Sequence, residues 1–196
     1  MKITKTDRVE VKKVLDRFSQ PKGKREVFYD LCFALLAPQT KWTSNIKVTG
    51  ELKRLNFYNN DLSVSFLREV VRPTRFYNVK ADRLIKVKKQ FSEIFKIINS
   101  NEKSVDKRNE LIDIVNGLGM KAASHFLRNL GCRDLAIIDT HILKFLGCDQ
   151  PKNKKDYICI EEEFISLSTR MGLDPVELDA IIWKRYSNTE WCNFVY

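Results

Sequence analysis

Apolar side chains recur at three- and four-residue intervals along much of this chain, and that spacing commits it to helices. Leu84, Val87, Phe91, Ile94, Phe95 and Ile98 trace one helix face. Phe28, Leu31, Cys32 and Leu35 trace another, and Phe164, Leu167 and Met171 a third. Val176, Ala180 and Trp183 mark the last, with Pro175 suited to its first turn. Alternating Val/Thr-rich runs are scarce, and with only 7 glycines and 5 prolines there is little to punctuate a sheet of short strands. The expectation is an all-α fold of many short helices. No internal repeat or low-complexity tract interrupts it. The polar stretches at 99–107 and 149–155 read as exposed loops.

Lys and Arg number 35 against 25 Asp and Glu, a net charge of +10, and a pI near 9.4 on a chain that is 43% hydrophobic points to a packed domain with a polyanionic partner. Apolar runs such as 31–37 are too short to span a bilayer, and Met1-Lys2-Ile3-Thr4-Lys5 has no apolar signal region. Neither secretion nor membrane insertion is expected. The expected place is the cytoplasm, with the nucleoid, or the nucleus. Cys32, Cys132, Cys148, Cys159 and Cys192 are scattered, with no Cys-x-x-Cys pair, so reduced thiols are expected and no metal or iron–sulfur cluster.

The densest punctuation is Val115-Asn116-Gly117-Leu118-Gly119-Met120-Lys121-Ala122-Ala123. An apolar helical segment ends at Val115, a Gly-x-Gly turn follows, and a second helix begins near Met120. Gly117 and Gly119 are free to take backbone angles closed to other residues and leave N–H groups bare at a helix N-terminus, where a phosphate can sit. Small Ala122 and Ala123 let the helices approach. The plainer reading is a helix–helix turn with no ligand.

Lys121 opens that second helix, at the end of the dipole that disfavours a cation. If partly buried, it would be a candidate amine nucleophile; otherwise it merely touches phosphate. Eighteen residues on, Ile138-Asp139-Thr140-His141-Ile142 places Asp139 after an apolar run and before a helix that closes at Gly147. Asp139 reads first as an N-cap. A helix over 120–130 rises about 16 Å, and 131–138 spans up to about 26 Å when extended, so the chain is long enough to return Asp139 to Lys121. His141 reads as structural.

Together these two segments resemble the helix-hairpin-helix, Gly/Pro…Asp DNA glycosylase superfamily, with Asn116 where the hairpin usually has proline. The resemblance implies that Lys121 is the nucleophile and Asp139 its electrostatic partner. Leu35-Leu36-Ala37-Pro38-Gln39-Thr40 is similar to the superfamily's loop after an early helix, which implies that Gln39 fills the gap left by a flipped nucleotide. Arg75-Phe76-Tyr77-Asn78-Val79-Lys80-Ala81 is similar to its wedge loop, which implies that Phe76 is inserted between bases. For both, an ordinary turn is the alternative. The four motifs occur in order over 28–146.

A short chain with a nucleophilic lysine and no four-cysteine loop most resembles the archaeal-type 8-oxoguanine DNA glycosylase/AP lyases. That resemblance implies two helical lobes with a cleft between them: a terminal lobe from 1–26 and 134–196, and a central lobe from 27–133 carrying the hairpin at about 110–130. It implies that Asp179 and Trp183, four apart on a late helix, read the extruded base; core packing for Trp183 and a surface charge for Asp179 are the alternatives. The basic residues over 80–89 (Lys80, Arg83, Lys86, Lys88 and Lys89) are expected on DNA phosphates, or else as a solvated helix face. The expected function is excision of an oxidised purine, 8-oxoguanine, from double-stranded DNA through a lysine Schiff base followed by β-elimination, by a monomer needing no cofactor. A pyrimidine-damage lyase like endonuclease III and a non-catalytic DNA-binding module are the competing readings. The chain ends in Tyr196, where this group often carries a lysine.

Overall fold

The computed structural model describes residues 3–187; Cys192 and Tyr196 lie outside the described residues. Among the described residues the fold is all-α, with ten helices and no strand. They are α1 (Lys5–Phe18), α2 (Lys24–Leu36), α3 (Trp42–Arg54), α4 (Val64–Val71), α5 (Tyr77–Ile98), α6 (Ser104–Ile114), α7 (Met120–Arg128), α8 (Thr140–Leu146), α9 (Lys154–Arg170) and α10 (Pro175–Ser187). The chain divides into two compact units: Lys22–Phe126, and Met1–Pro21 with Leu127–Tyr196. The division falls within α7.

The unit Lys22–Phe126 is built around α2. Every residue from Val27 to Leu36 is buried, so the single apolar face expected from Phe28, Leu31, Cys32 and Leu35 is in fact a helix enclosed on all sides. Helices α3 and α5 pack on it. Phe28 meets Phe57, Tyr58 and Phe91 with ring centroids 5.7, 5.3 and 5.0 Å apart, mostly edge to face, an arrangement that adds to simple area burial. Asp30, a charge buried on α2, is held by Lys22 Nζ at 2.6 Å; burial nonetheless raises its pKa. On α5, Leu84, Val87, Phe91 and Ile94 are buried at the spacing the sequence shows.

The other unit has the same logic with α10 at its centre. Val176, Leu178, Ala180, Ile181 and Ile182 are buried, and α1, α8 and α9 pack around them. Pro175 opens α10, as expected.

Two expected loops are shorter than read. α6 begins at Ser104, inside the 99–107 stretch, because Lys103 C=O accepts from Asp106 and Lys107 N–H and an acidic Asp106 suits the first turn. α9 begins at Lys154, inside 149–155, because the Asn153 side chain accepts from Asp156 N–H as an N-cap.

Candidate functional site

The hairpin forms as the sequence indicates. α6 ends with Val115 as its C-cap, and α7 starts at Met120. Its two helices are tied by a buried hydrogen bond, Arg108 Nη1 donating to Ser124 Oγ at 2.9 Å. The turn needs glycine at one position only. Gly117 has φ +89°, and a Cβ there would stand 2.4 Å from the Arg83 guanidinium. That guanidinium lies over the turn and donates from Nε to Asn116 Oδ1 at 3.3 Å. Gly119 differs from expectation: it is absent from the left-handed residues, and a Cβ there would meet nothing within 4 Å. Its C=O accepts from Ala123 N–H at 2.9 Å, starting α7. What Gly119 leaves open is space outside the turn, suited to close approach by a ligand backbone.

Lys121 stands in the first turn of α7 and is exposed. The burial that the nucleophile reading invoked for it is therefore not present in the free chain.

Asp139 belongs to the other unit and is placed by a segment of non-helical backbone. Leu135, Ala136, Ile137 and Ile138 are buried, so their polar backbone groups need partners. α9 supplies them. Glu161 Oε1 accepts from Ala136 N–H at 3.2 Å, and Tyr157 Oη accepts from Ile138 N–H at 3.1 Å while donating to Ala136 C=O at 3.3 Å. Asp139 then caps α8, its Oδ1 accepting from His141 and Ile142 N–H at 2.8 and 3.0 Å. Among the described residues Oδ2 accepts no hydrogen bond, so one carboxylate oxygen caps and the other does not. Gly147, at φ +71°, ends α8 as read.

Gln39 and Phe76 sit at exposed positions on separate loops of the Lys22–Phe126 unit. Each has left-handed backbone, with φ +53° and +59°. Gln39 is the third residue of a turn closed by Thr40 N–H to Ala37 C=O at 3.1 Å, with Pro38 second. Phe76 precedes α5, is 54% exposed, and has the Arg75 guanidinium 4.9 Å from its ring centroid. Non-glycine residues avoid this region, and strain of that kind gathers at functional sites.

The basic stretch over 80–89 needs correction. Lys80 is buried at 2% exposure and points inward, where its Nζ donates to Leu36 C=O, Pro38 C=O and Thr40 Oγ1 at 2.7, 2.8 and 2.7 Å. Burial first, and then the Arg83 guanidinium, pull its pKa down to about 8. Lys88 Nζ is bonded to Asn60 C=O and Asp61 Oδ1, each at 2.6 Å, and Arg83 covers the hairpin. Lys86 and Lys89 remain exposed. Periodicity could have warned of this, since Lys80 falls one turn before buried Leu84.

Asp179 is buried and so is not a surface charge. Its Oδ2 lies 3.8 Å from Arg128 Nη1. Arg128 is itself held by Asn129 Oδ1, which accepts from its Nε and Nη2 at 3.0 and 2.9 Å, and by the face of Phe18 at 4.9 Å. Trp183, one turn later on α10, is half-buried. Sequence reasoning missed Tyr157, Glu161, Arg108 and Arg128. They are polar groups whose importance comes from burial, which spacing alone does not display.

The family model for 8-oxoguanine DNA glycosylase matches residues 11–173. An 8-oxoguanine DNA glycosylase/AP lyase of Thermoplasma acidophilum is 33% identical over 185 residues, covering 91% of this chain and 89% of that protein. The crystal structure of the 8-oxoguanine DNA glycosylase of Methanocaldococcus jannaschii superposes with a TM-score of 0.82 at 30% identity, covering 92% of this chain and 88% of that one. The structure of the Methanocaldococcus jannaschii glycosylase/lyase in complex with a 15-mer DNA containing 8-oxoguanine superposes with a TM-score of 0.82 at 29% identity, over 92% of this chain and 91% of that one.

Proposed function

This chain belongs to the 8-oxoguanine DNA glycosylase family, and from that membership and the hairpin we propose that it is a bifunctional DNA glycosylase/AP lyase. It excises 8-oxoguanine from DNA and then cleaves the strand. The observation that carries the assignment of residues is an exposed amine, Lys121, in the first turn of α7, two residues after a glycine whose Cβ position is open.

Backbone N–H groups at the start of α7 donate to a DNA phosphate, with Gly117 and Gly119 admitting it. Gln39 and Phe76 occupy the gap as the damaged nucleotide leaves the stack, and Asp179 and Trp183 contribute to the pocket that takes the base. Lys121, as the free amine, attacks C1′ of the deoxyribose. The C1′–N bond breaks, and the base departs with the bonding electrons and takes up a proton. The sugar ring opens to a Schiff base on Lys121. Loss of a C2′ proton then expels the 3′ phosphate, and water releases the lysine. Asp139 faces the positive charge that builds on the sugar through the carboxylate oxygen not used in capping. DNA binding removes water from around Lys121, which supplies the desolvation missing in the free chain. The protein acts as a monomer on chromosomal DNA, in the nucleoid or the nucleus.

Borohydride added during turnover on an 8-oxoguanine duplex reduces the Schiff base to a stable protein–DNA adduct. Lys121→Gln is expected to abolish that adduct while leaving duplex binding; an adduct that persists assigns the chemistry to another amine. Asp139→Asn keeps a capping oxygen, so stability is expected to stay within about 0.5 kcal/mol while single-turnover excision falls by about 10²-fold or more. Running thymine-glycol duplexes alongside reads out lesion choice.

A further inference from the structure

Gln39 and Phe76 are far apart in sequence, yet one residue holds both loops. Lys80 N–H donates to Phe76 C=O at 3.1 Å, closing the first turn of α5 behind the left-handed residue. The Lys80 side chain donates to Pro38 C=O and Thr40 Oγ1, the residues on either side of Gln39, and to Leu36 C=O at the end of α2. An ammonium has three N–H bonds, and here each has an acceptor within 2.8 Å. The acceptors include the Leu36 carbonyl at the negative end of α2, which favours the cation.

A buried cation is costly, and the lowered pKa of Lys80 registers that cost. An apolar side chain would fill the same space without it, but would leave the Leu36 and Pro38 carbonyls without these bonds and the Gln39 turn without its tie to α5. The turn itself is closed by a single backbone bond from Thr40 to Ala37.

We propose that Lys80 is a positioning residue that locks the Gln39 turn to the start of α5, so that Gln39 and Phe76 enter the lesion gap at a fixed separation. The proposal rests on the reading of those two side chains as gap-filling residues. Lys80 touches neither DNA nor the reacting atoms. Its contribution is to the step in which the base leaves the stack, not to the chemistry at C1′.

The test compares the parent and Lys80→Met on two substrates under single-turnover conditions. One is an 8-oxoguanine duplex, where a gap must be filled. The other is a single-stranded oligonucleotide with a preformed abasic site, which has no partner strand and needs only the lyase step. The expected result is a loss of about tenfold or more on the duplex, since misplacement by an ångström carries penalties of that order. Strand cleavage at the single-stranded site stays within about twofold, because C1′ chemistry does not use the loops. An equal loss on both substrates, or no loss on the duplex, overturns the proposal. Should Lys80→Met fail to fold, Thr40→Val removes one acceptor of the three. It is then expected to slow the duplex reaction by about two- to fivefold and spare the abasic one, and an unchanged duplex rate overturns the proposal. A parent that forms no borohydride adduct on the abasic oligonucleotide defeats the lyase reading and this proposal with it. An active parent without the substrate split defeats this proposal alone.

Discussion

The hairpin at Gly117 and the loops tipped by Gln39 and Phe76 turn the backbone through the same left-handed region, and they do so in opposite ways. The hairpin uses glycine, and the space of the missing Cβ is taken up by the Arg83 guanidinium. The loops use residues with large side chains and carry the strain. The proposed roles account for the difference. If the hairpin meets DNA through its backbone, a side chain is dispensable there and glycine costs little. If Gln39 and Phe76 enter DNA through their side chains, glycine is excluded and the fold must hold an unfavourable φ by other bonds. For Gln39 and Phe76 those bonds converge on Lys80.

The sharpest way to break this comparison is at the two hairpin glycines. Gly117→Ala puts a Cβ on a residue at φ +89° and 2.4 Å from Arg83. The guanidinium is the end of a flexible side chain and swings aside, so the lasting cost is backbone strain of about 1–2 kcal/mol with a weakened bond to Asn116. A loss of about 2 kcal/mol in urea unfolding is expected. Gly119→Ala meets open space at an ordinary φ. Its stability is expected to stay within about 0.5 kcal/mol, while duplex affinity drops because the methyl group occupies the path of the phosphate. If the two alanines prove equally neutral to unfolding, Gly117 does not carry the turn.

The loops are expected to show the reverse. Gln39→Gly and Phe76→Gly relieve a left-handed residue, and the relief is partly offset by the greater freedom of glycine in the unfolded chain. Stability rises by up to about 1 kcal/mol or holds level. Excision from the 8-oxoguanine duplex nonetheless falls by about tenfold or more, since the side chain that fills the gap is gone. A variant that loses stability and keeps its excision rate would show these residues to be ordinary turn positions. Thermal unfolding and single-turnover excision on the same preparations make the comparison.

The sequence displayed what depends on local pattern. The helix at Leu84–Ile98, the turn at Gly117, the α8 cap at Asp139 and the stop at Gly147 all follow from spacing or from a residue's backbone preference. Hidden were the long-range ties between buried polar groups. Lys80 is one among several basic residues on a helix; its spacing from Leu84 puts it on the buried stripe, unlike exposed Lys86, but nothing local shows what it binds there. Its role is set by carbonyls more than forty residues away. The same holds for Tyr157 and Glu161, which bond a buried non-helical backbone from a later helix. Whether Lys121 is buried was undecided in the sequence for a related reason: burial is a property of what packs around a residue, and its helix leaves it exposed.

The smallest expected effect separates the energetic cost of Lys80 from its positioning work. In the folded chain its pKa is about 8, below the ordinary lysine value of 10.5. Between those values the unfolded chain binds more protons than the folded one, so folding stability rises with pH. Below about pH 8 both states are protonated and the cost of burying the cation is felt in full. Lys80→Met lacks this titration, while groups common to both proteins cancel in the difference. The stability of the parent relative to Lys80→Met is therefore expected to be lowest at neutral pH and to increase toward pH 9, by less than about 1 kcal/mol. Deprotonation need not free the Gln39 turn. A neutral amine keeps two N–H donors for the Leu36 and Pro38 carbonyls, and its lone pair accepts from the Thr40 hydroxyl. The substrate split between duplex and single-stranded abasic DNA is thus expected to persist at pH 9, where the stability difference has moved. A stability difference that is flat or falls with pH would mean that the buried amine is not the strained cation its surroundings describe.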